Sequence, residues 1–264
     1  MNSKRIHLIY LAIHYEGNYD LLLSALKKHT EFDKEKEEEA VLSLKCNVLT
    51  YIDDDYPIYL RQLTRPPLVL FYYGDISLID DKHHATNLGV VGTRSATEYG
   101  LKHTKRIVSE VVDKCTIISG LAYGIDTMAH QTTIDNNGKT VAVLGSGIDN
   151  VYPIENYELY QAIIAKGGLV ISEYPSKTDP HFFHFPIRNR LIAMFSSAIL
   201  ITEAIGYKTG TSITAAYARR LSRKVMCIPY PLEVTDSFCN QLIHDGDELI
   251  RDGCDILKEM KIID

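Results

Sequence analysis

From residue 88 onward, short and wholly apolar runs alternate with segments of helix length. The runs are 88–91, 116–118, 140–144, 169–171, 198–202 and 225–228. Strands that are apolar at every position, rather than at every second one, are buried on both faces, which is the signature of a parallel sheet covered by helices on each side. The pattern predicts a doubly wound, mostly parallel α/β domain, with its site in the loops at the carboxyl ends of the strands. Upstream the period changes. Leu8, Leu11, Leu22, Leu23 and Leu26 recur near helical spacing, so residues 1–45 read as a small helical region. The acidic run 31–39 reads as a solvated helix face or a linker. Two further strand candidates, 48–52 and 68–72, flank the turn at Pro66-Pro67 and open a second unit, 46–264, whose core starts near residue 85.

Composition narrows the class. With 264 residues and 45% apolar positions the chain can close a full core without cross-links. Its five cysteines are scattered, odd in number and without a C-x-x-C pair. That argues against a disulfide framework and a zinc site, and for a reducing compartment. The apolar run 6–13 is too short to span a membrane. The expectation is a cytoplasmic protein with no membrane partner.

Charge is distributed unevenly. Residues 186–224 carry seven basic side chains against one acid, Glu203, a local +6 in a chain of net charge −6. Phe182, Phe183 and Phe185 immediately precede Arg188 and Arg190. Cations for phosphates beside flat rings for unstacked bases are what single-stranded nucleic acid requires. The plainer reading of Arg219, Arg220, Arg223 and Lys224 is the solvated end of a helix.

The loops after the strands hold the candidate chemistry. Gly92-Thr93-Arg94-Ser95 permits a tight turn into a helix, where free N–H groups and Arg94 make an anion site, but it lacks the G-x-G-x-x-G dinucleotide fingerprint. In the 119–130 loop Gly120 and Gly124 allow close backbone approach. Asp126 and His130, four apart, suit either an acid–base or metal pair or, preferentially, a helix cap with a packed histidine. His181 and His184 lack a third ligand. Gly206 to Ser212 has the wrong spacing for a P-loop but turns into a helix near Ile213, with Thr211 and Ser212 as caps, giving a second anion site on the same edge. No loop offers a nucleophile with its base, or paired carboxylates.

Taken in order, these loops resemble the DNA-processing protein A family, also called Smf. The matching stretches are Val91-Gly92-Thr93-Arg94, Ser119-Gly120-Leu121-Ala122-Tyr123-Gly124-Ile125-Asp126, Leu144-Gly145-Ser146-Gly147, Ser172-Glu173-Tyr174-Pro175, Phe185-Pro186-Ile187-Arg188-Asn189-Arg190 and Thr209-Gly210-Thr211-Ser212. The resemblance implies an extended Rossmann-like domain that binds single-stranded DNA, pairs as a homodimer and loads the RecA recombinase, protecting incoming DNA in natural transformation. No cofactor, metal or enzymatic activity is expected, because the sequence holds neither a Walker loop nor a metal-ligand cluster. Carried over by position, the resemblance assigns DNA contacts to Arg94, Ser95, Phe185, Arg188, Asn189, Arg190, Gly210, Thr211 and Ser212. Lys177 and Lys208 are added as basic residues of neighbouring loops. The chain departs from the family at Met194-Phe195-Ser196, Ser222-Arg223 and Pro229-Tyr230. The competing class is a nucleotide-processing enzyme of related fold, a phosphoribohydrolase or deoxyribosyltransferase, which would need Glu173 or Glu203 as its catalytic carboxylate.

Overall fold

A computed structural model describes residues 2–207 and 209–264. The six apolar runs of the main unit are six parallel strands: β3 (Asn87–Val91), β4 (Thr116–Ser119), β5 (Thr140–Gly147), β6 (Leu169–Tyr174), β7 (Ala198–Ile201) and β8 (Lys224–Cys227). Every residue of β3, β4, β5 and β7 is buried. Alternate side chains enter opposite layers: Val141 and Val143 face one core, Ala142 and Leu144 the other.

The two strand candidates upstream are β1 (Asn47–Thr50) and β2 (Val69–Gly74). They add an antiparallel margin to the sheet, because β2 pairs with both β1 and β6 in that sense. With the two-residue β9 (Glu248–Leu249) the order is β1-β2-β6-β5-β4-β3-β7-β8-β9.

One face of the sheet carries α7 (His184–Phe195), α8 (Gly210–Arg220) and α9 (Phe238–His244). The other carries α4 (Glu98–Val111), α5 (Ile125–Asp135), α6 (Tyr157–Ala165) and α10 (Gly253–Glu259).

Three amino-terminal helices, α1 (Ser3–His14), α2 (Tyr19–Lys27) and α3 (Lys34–Leu42), start on the side-chain caps Asn2, Asn18 and Asp33. The acidic run is the body of α3. Its face is largely solvated, but Glu37 is buried and lies 2.6 Å from His7 Nδ1. The helical segment is not an appendage. Ile9 and Leu11 are fully buried in one cluster with Phe71 and Val170 of the sheet. Among the described residues no helix is long and apolar enough to cross a membrane.

A shared core must unfold as a unit. Ile9→Ala should lower the unfolding free energy by about 2–5 kcal/mol. In a urea titration the helical signal by circular dichroism and tyrosine fluorescence should shift together, in one transition.

Candidate nucleic-acid interface

The chain runs from β3 through β4 and β5 to β6, then returns along α7 to place β7 on the other side of β3. The loops after β3 and β7 therefore diverge, and the crevice between them lies at the switch point of the sheet. A cleft of about 700 Å³ opens there, lined by Arg94, Phe182, Phe185, Arg188, Asn189 and Thr211 among others.

Helix α7 supplies most of this wall, and its periodicity decides which side chains do so. Phe185, Arg188, Asn189 and Ile192, spaced by three and four, face the cleft. His184, Ile187 and Arg190 face a different cavity on the other side of the helix.

Arg188 is only 3% exposed. Its Nη1 donates to Gly120 O at 2.5 Å and to Val143 O, and its Nε donates to Asn189 Oδ1. Burial pulls its pKa down to about 10, opposed by the nearby Asp126 carboxylate, so it stays charged at neutral pH. Glycine is required beneath it: a Cβ on Gly120 would lie 2.6 Å from both terminal guanidinium nitrogens, and one on Gly145 would lie 2.7 Å from the Phe185 ring. These glycines admit side chains of α7 rather than a ligand.

Arg94 is exposed, stands 5.0 Å above the Phe185 ring and has no ion-pair partner among the described residues. Among the described residues it is the cleft's available cation. The opposite wall is the start of α8. Thr209 is its N-cap, and the side chains of Thr209 and Ser212 close a reciprocal capping box. Asn189 Nδ2 donates to Gly210 O at 3.0 Å, tying α7 to this turn. The sequence reading of Thr211 and Ser212 as caps is thus corrected: the helix starts earlier, because Thr209 is the residue able to bond the N3 amide.

Beneath the cleft, Glu203 is fully buried and accepts from the Thr97 amide (2.9 Å) and the Tyr230 hydroxyl (2.8 Å). Its backbone oxygen accepts from the Thr93 amide. Glu203 therefore ties the Arg94 turn to the loop after β7. Sequence reasoning considered it only as a catalytic acid. A signal for the positioning role was present in Tyr230, one of the positions at which the chain departs from the family.

The assigned residues separate. Arg94, Phe185, Arg188, Asn189, Gly210 and Thr211 meet at the cleft. Ser95 is exposed on the Arg94 turn, and Ser212 is spent on its capping box. Lys177 is exposed on the loop after β6 but does not line the cleft. Lys208 lies outside the described residues. Arg190 points away and makes a two-pronged ion pair with Glu173 at 2.6 and 2.7 Å.

Part of the local +6 is also spent outside the cleft. Arg219 pairs with Asp247 and Lys224 with Glu259, both around the amino end of β8, away from the cleft. Asp126 does not cap α5; it lies within the first turn and accepts from the amides of Gly120 and Ala122. Burial raises its pKa. His130 is fully buried with Nδ1 2.7 Å from Thr140 Oγ1. No cluster of three metal-ligating side chains occurs among the described residues.

Fold and cleft define a Rossmann-like α/β protein with a crevice at its switch point that Arg94 lines. A sequence profile of the DNA recombination-mediator protein A family matches residues 47–261. The chain is 42% identical over 204 residues to Protein Smf of Synechocystis, an alignment covering 76% of this chain and 51% of that protein. It is 37% identical over 211 residues to DNA processing protein DprA of Streptococcus pneumoniae, covering 80% and 73%. The X-ray structure of the pneumococcal protein superposes with a TM-score of 0.77 at 29% identity over 98% of both chains. That of DprA from Helicobacter pylori, described for its single-stranded DNA binding mode, superposes at 0.72 and 26% identity over 83% of this chain and 97% of that one. The chain belongs to the DNA recombination-mediator protein A family. It spans about half the length of the Synechocystis relative.

Burial makes His130 a pH-dependent liability. Its pKa falls to about 3, against about 6.5 in an unfolded chain. Below pH 6.5 the unfolded state takes up a proton that the native state refuses, so stability falls as pH drops toward the folded value. At pH 5 this amounts to about 2 kcal/mol relative to neutrality. His130→Gln should flatten the stability–pH curve between pH 6.5 and 4 by about one proton, measured by urea unfolding at each pH.

Proposed function

We propose that this chain is a recombination mediator that holds single-stranded DNA in the switch-point cleft. The observation that carries the reading is Arg94 standing over Phe185 at the mouth of that cleft, opposite the amino end of α8. The guanidinium and the helix amides suit phosphate oxygens, and the exposed Phe182 beside Phe185 suits an unstacked base. A duplex hides its base faces and so binds more weakly despite its greater charge. The reading extends to the finer roles that the family resemblance suggests: protection of incoming DNA, loading of RecA during natural transformation, action in the cytoplasm, and assembly as a homodimer. The pneumococcal and Helicobacter relatives support the DNA-processing part of this reading.

Catalysis is not part of the proposal. Glu173 is committed to Arg190, and Glu203 to an amide and a hydroxyl, so neither is poised as the carboxylate a glycosidic-bond enzyme needs. Release of free base from nucleoside monophosphates by the pure protein would overturn that part.

Each phosphate contact steepens the log–log salt dependence of single-strand binding by roughly 0.7. Arg94→Ala should flatten the slope by about that amount, whereas Phe185→Ala should weaken binding by about 1–3 kcal/mol with the slope kept. Arg190→Ala should leave the slope unchanged and instead cost about 3 kcal/mol of stability, because it strands a largely buried carboxylate. A salt titration on matched single- and double-stranded oligonucleotides checks all three, and equal affinity for the two forms would refute the stacking model. Light scattering at micromolar concentration should give twice the 29.8 kDa chain mass.

A further inference from the structure

The second cavity, on the far side of α7, has a volume of about 690 Å³, nearly that of the cleft. It too opens near the carboxyl end of the sheet, since Glu173 and Tyr174 at the end of β6 line it. Rings form much of its wall, among them Tyr19 from the start of α2, Tyr174, His181, Phe183, His184 and Tyr217 of α8. His181 and Phe183 lie parallel, 2° apart with centroids at 5.3 Å, and Tyr174 stacks on His184 at 3.9 Å.

The cations lining this cavity are paired, and Glu16 adds an exposed carboxylate to its wall. Arg190 is paired with Glu173, and Arg65 with Asp20 at 2.9 Å. His184 stays neutral at pH 7, its pKa lowered to about 4 by burial and by His181. A cavity with many ring faces and no unpaired cation among its described residues is unsuited to phosphate and suited to a neutral, flat ligand.

The two cavities share one wall. Phe182 and Phe183 are consecutive, 85% and 48% exposed, and their rings meet edge to face at 5.7 Å. Phe182 lines the cleft and Phe183 lines the second cavity. A strand leaving the cleft across this ridge comes next to the second set of rings.

We infer that the second cavity is a base-binding subsite, which takes a nucleobase of the same single strand whose phosphates lie against Arg94. The inference rests on the single-strand reading of the cleft. The ridge Phe182–Phe183 separates a phosphate-and-base site from a base-only site, so one protomer grips the strand at two separated points.

The test is a set of oligothymidylates carrying a single 2-aminopurine, whose fluorescence is quenched when it stacks, moved position by position. Wild type should show two quenched registers separated by unquenched positions. Phe183→Ala combined with His181→Ala should abolish one register and weaken a long oligonucleotide about tenfold. The affinity of the shortest oligonucleotide that still binds through the cleft should stay within twofold. Tyr19→Ala, on the opposite wall and another element, should give the same pattern, so that the result does not depend on one variant's folding. Phe185→Ala should abolish the other register.

A single quenched register in wild type, or two that survive both cavity variants, overturns the inference while leaving the cleft reading intact. Absence of single-strand binding in wild type overturns the cleft reading itself. If the cavity variants halve the particle mass without touching the quenching pattern, the cavity receives a second copy of the chain instead and the inference fails.

Discussion

A single buried guanidinium organises the binding edge. Taking Arg188 out of water costs several kcal/mol, and the structure offsets that cost with two backbone carbonyls, the Asn189 side chain and the nearby Asp126 carboxylate. The carbonyls belong to Gly120, just past the end of β4, and to Val143 of β5. Arg188 thereby pins the first turns of α7 across the carboxyl end of the sheet. Phe185 is seated against Gly145 by the same placement, and Asn189 reaches from there to the start of α8. Without this clamp neither the cleft nor the aromatic ridge beside it has a fixed wall.

The strands were legible because burial on both faces leaves no polar position to confuse the pattern, and β3 to β8 fall within a few residues of the apolar runs. The site was only half legible. The stretch 182–190 stands out in the sequence only for its rings beside two arginines, and α7 begins within it at His184. Its N-cap is Phe183, which provides no side-chain bond, and Pro186 sits in the first turn, where proline is tolerated, so the usual start signal is missing. Once the segment is a helix, two arginines two positions apart cannot share a face. Arg188 goes to the cleft and Arg190 to the other side. The partners that offset part of the local charge, Glu173, Asp247 and Glu259, are 17 to 35 residues away along the chain and meet it only through the fold.

Glycines and acids carried meanings that composition did not separate. Gly120 was read as room for a ligand, and the guest is the chain's own arginine. Glu203 was weighed as a catalytic group, and its oxygens instead join three loops through Thr97, Tyr230 and Thr93. Both misreadings have one cause: a residue suited to contacting a ligand is equally suited to holding the residue that does.

The two margins of the sheet bear on how copies of this protein can meet. At one margin β9 is two residues long; at the other β1 has four, and the carbonyl of Val48 there already accepts the guanidinium of Arg5 at 2.6 Å. Neither border offers a long open ladder onto which another strand could zip. Copies that associate must therefore do so through helices and loops, whose side chains can be matched one by one. The backbone, which would pair with any extended chain, is kept out of the contact.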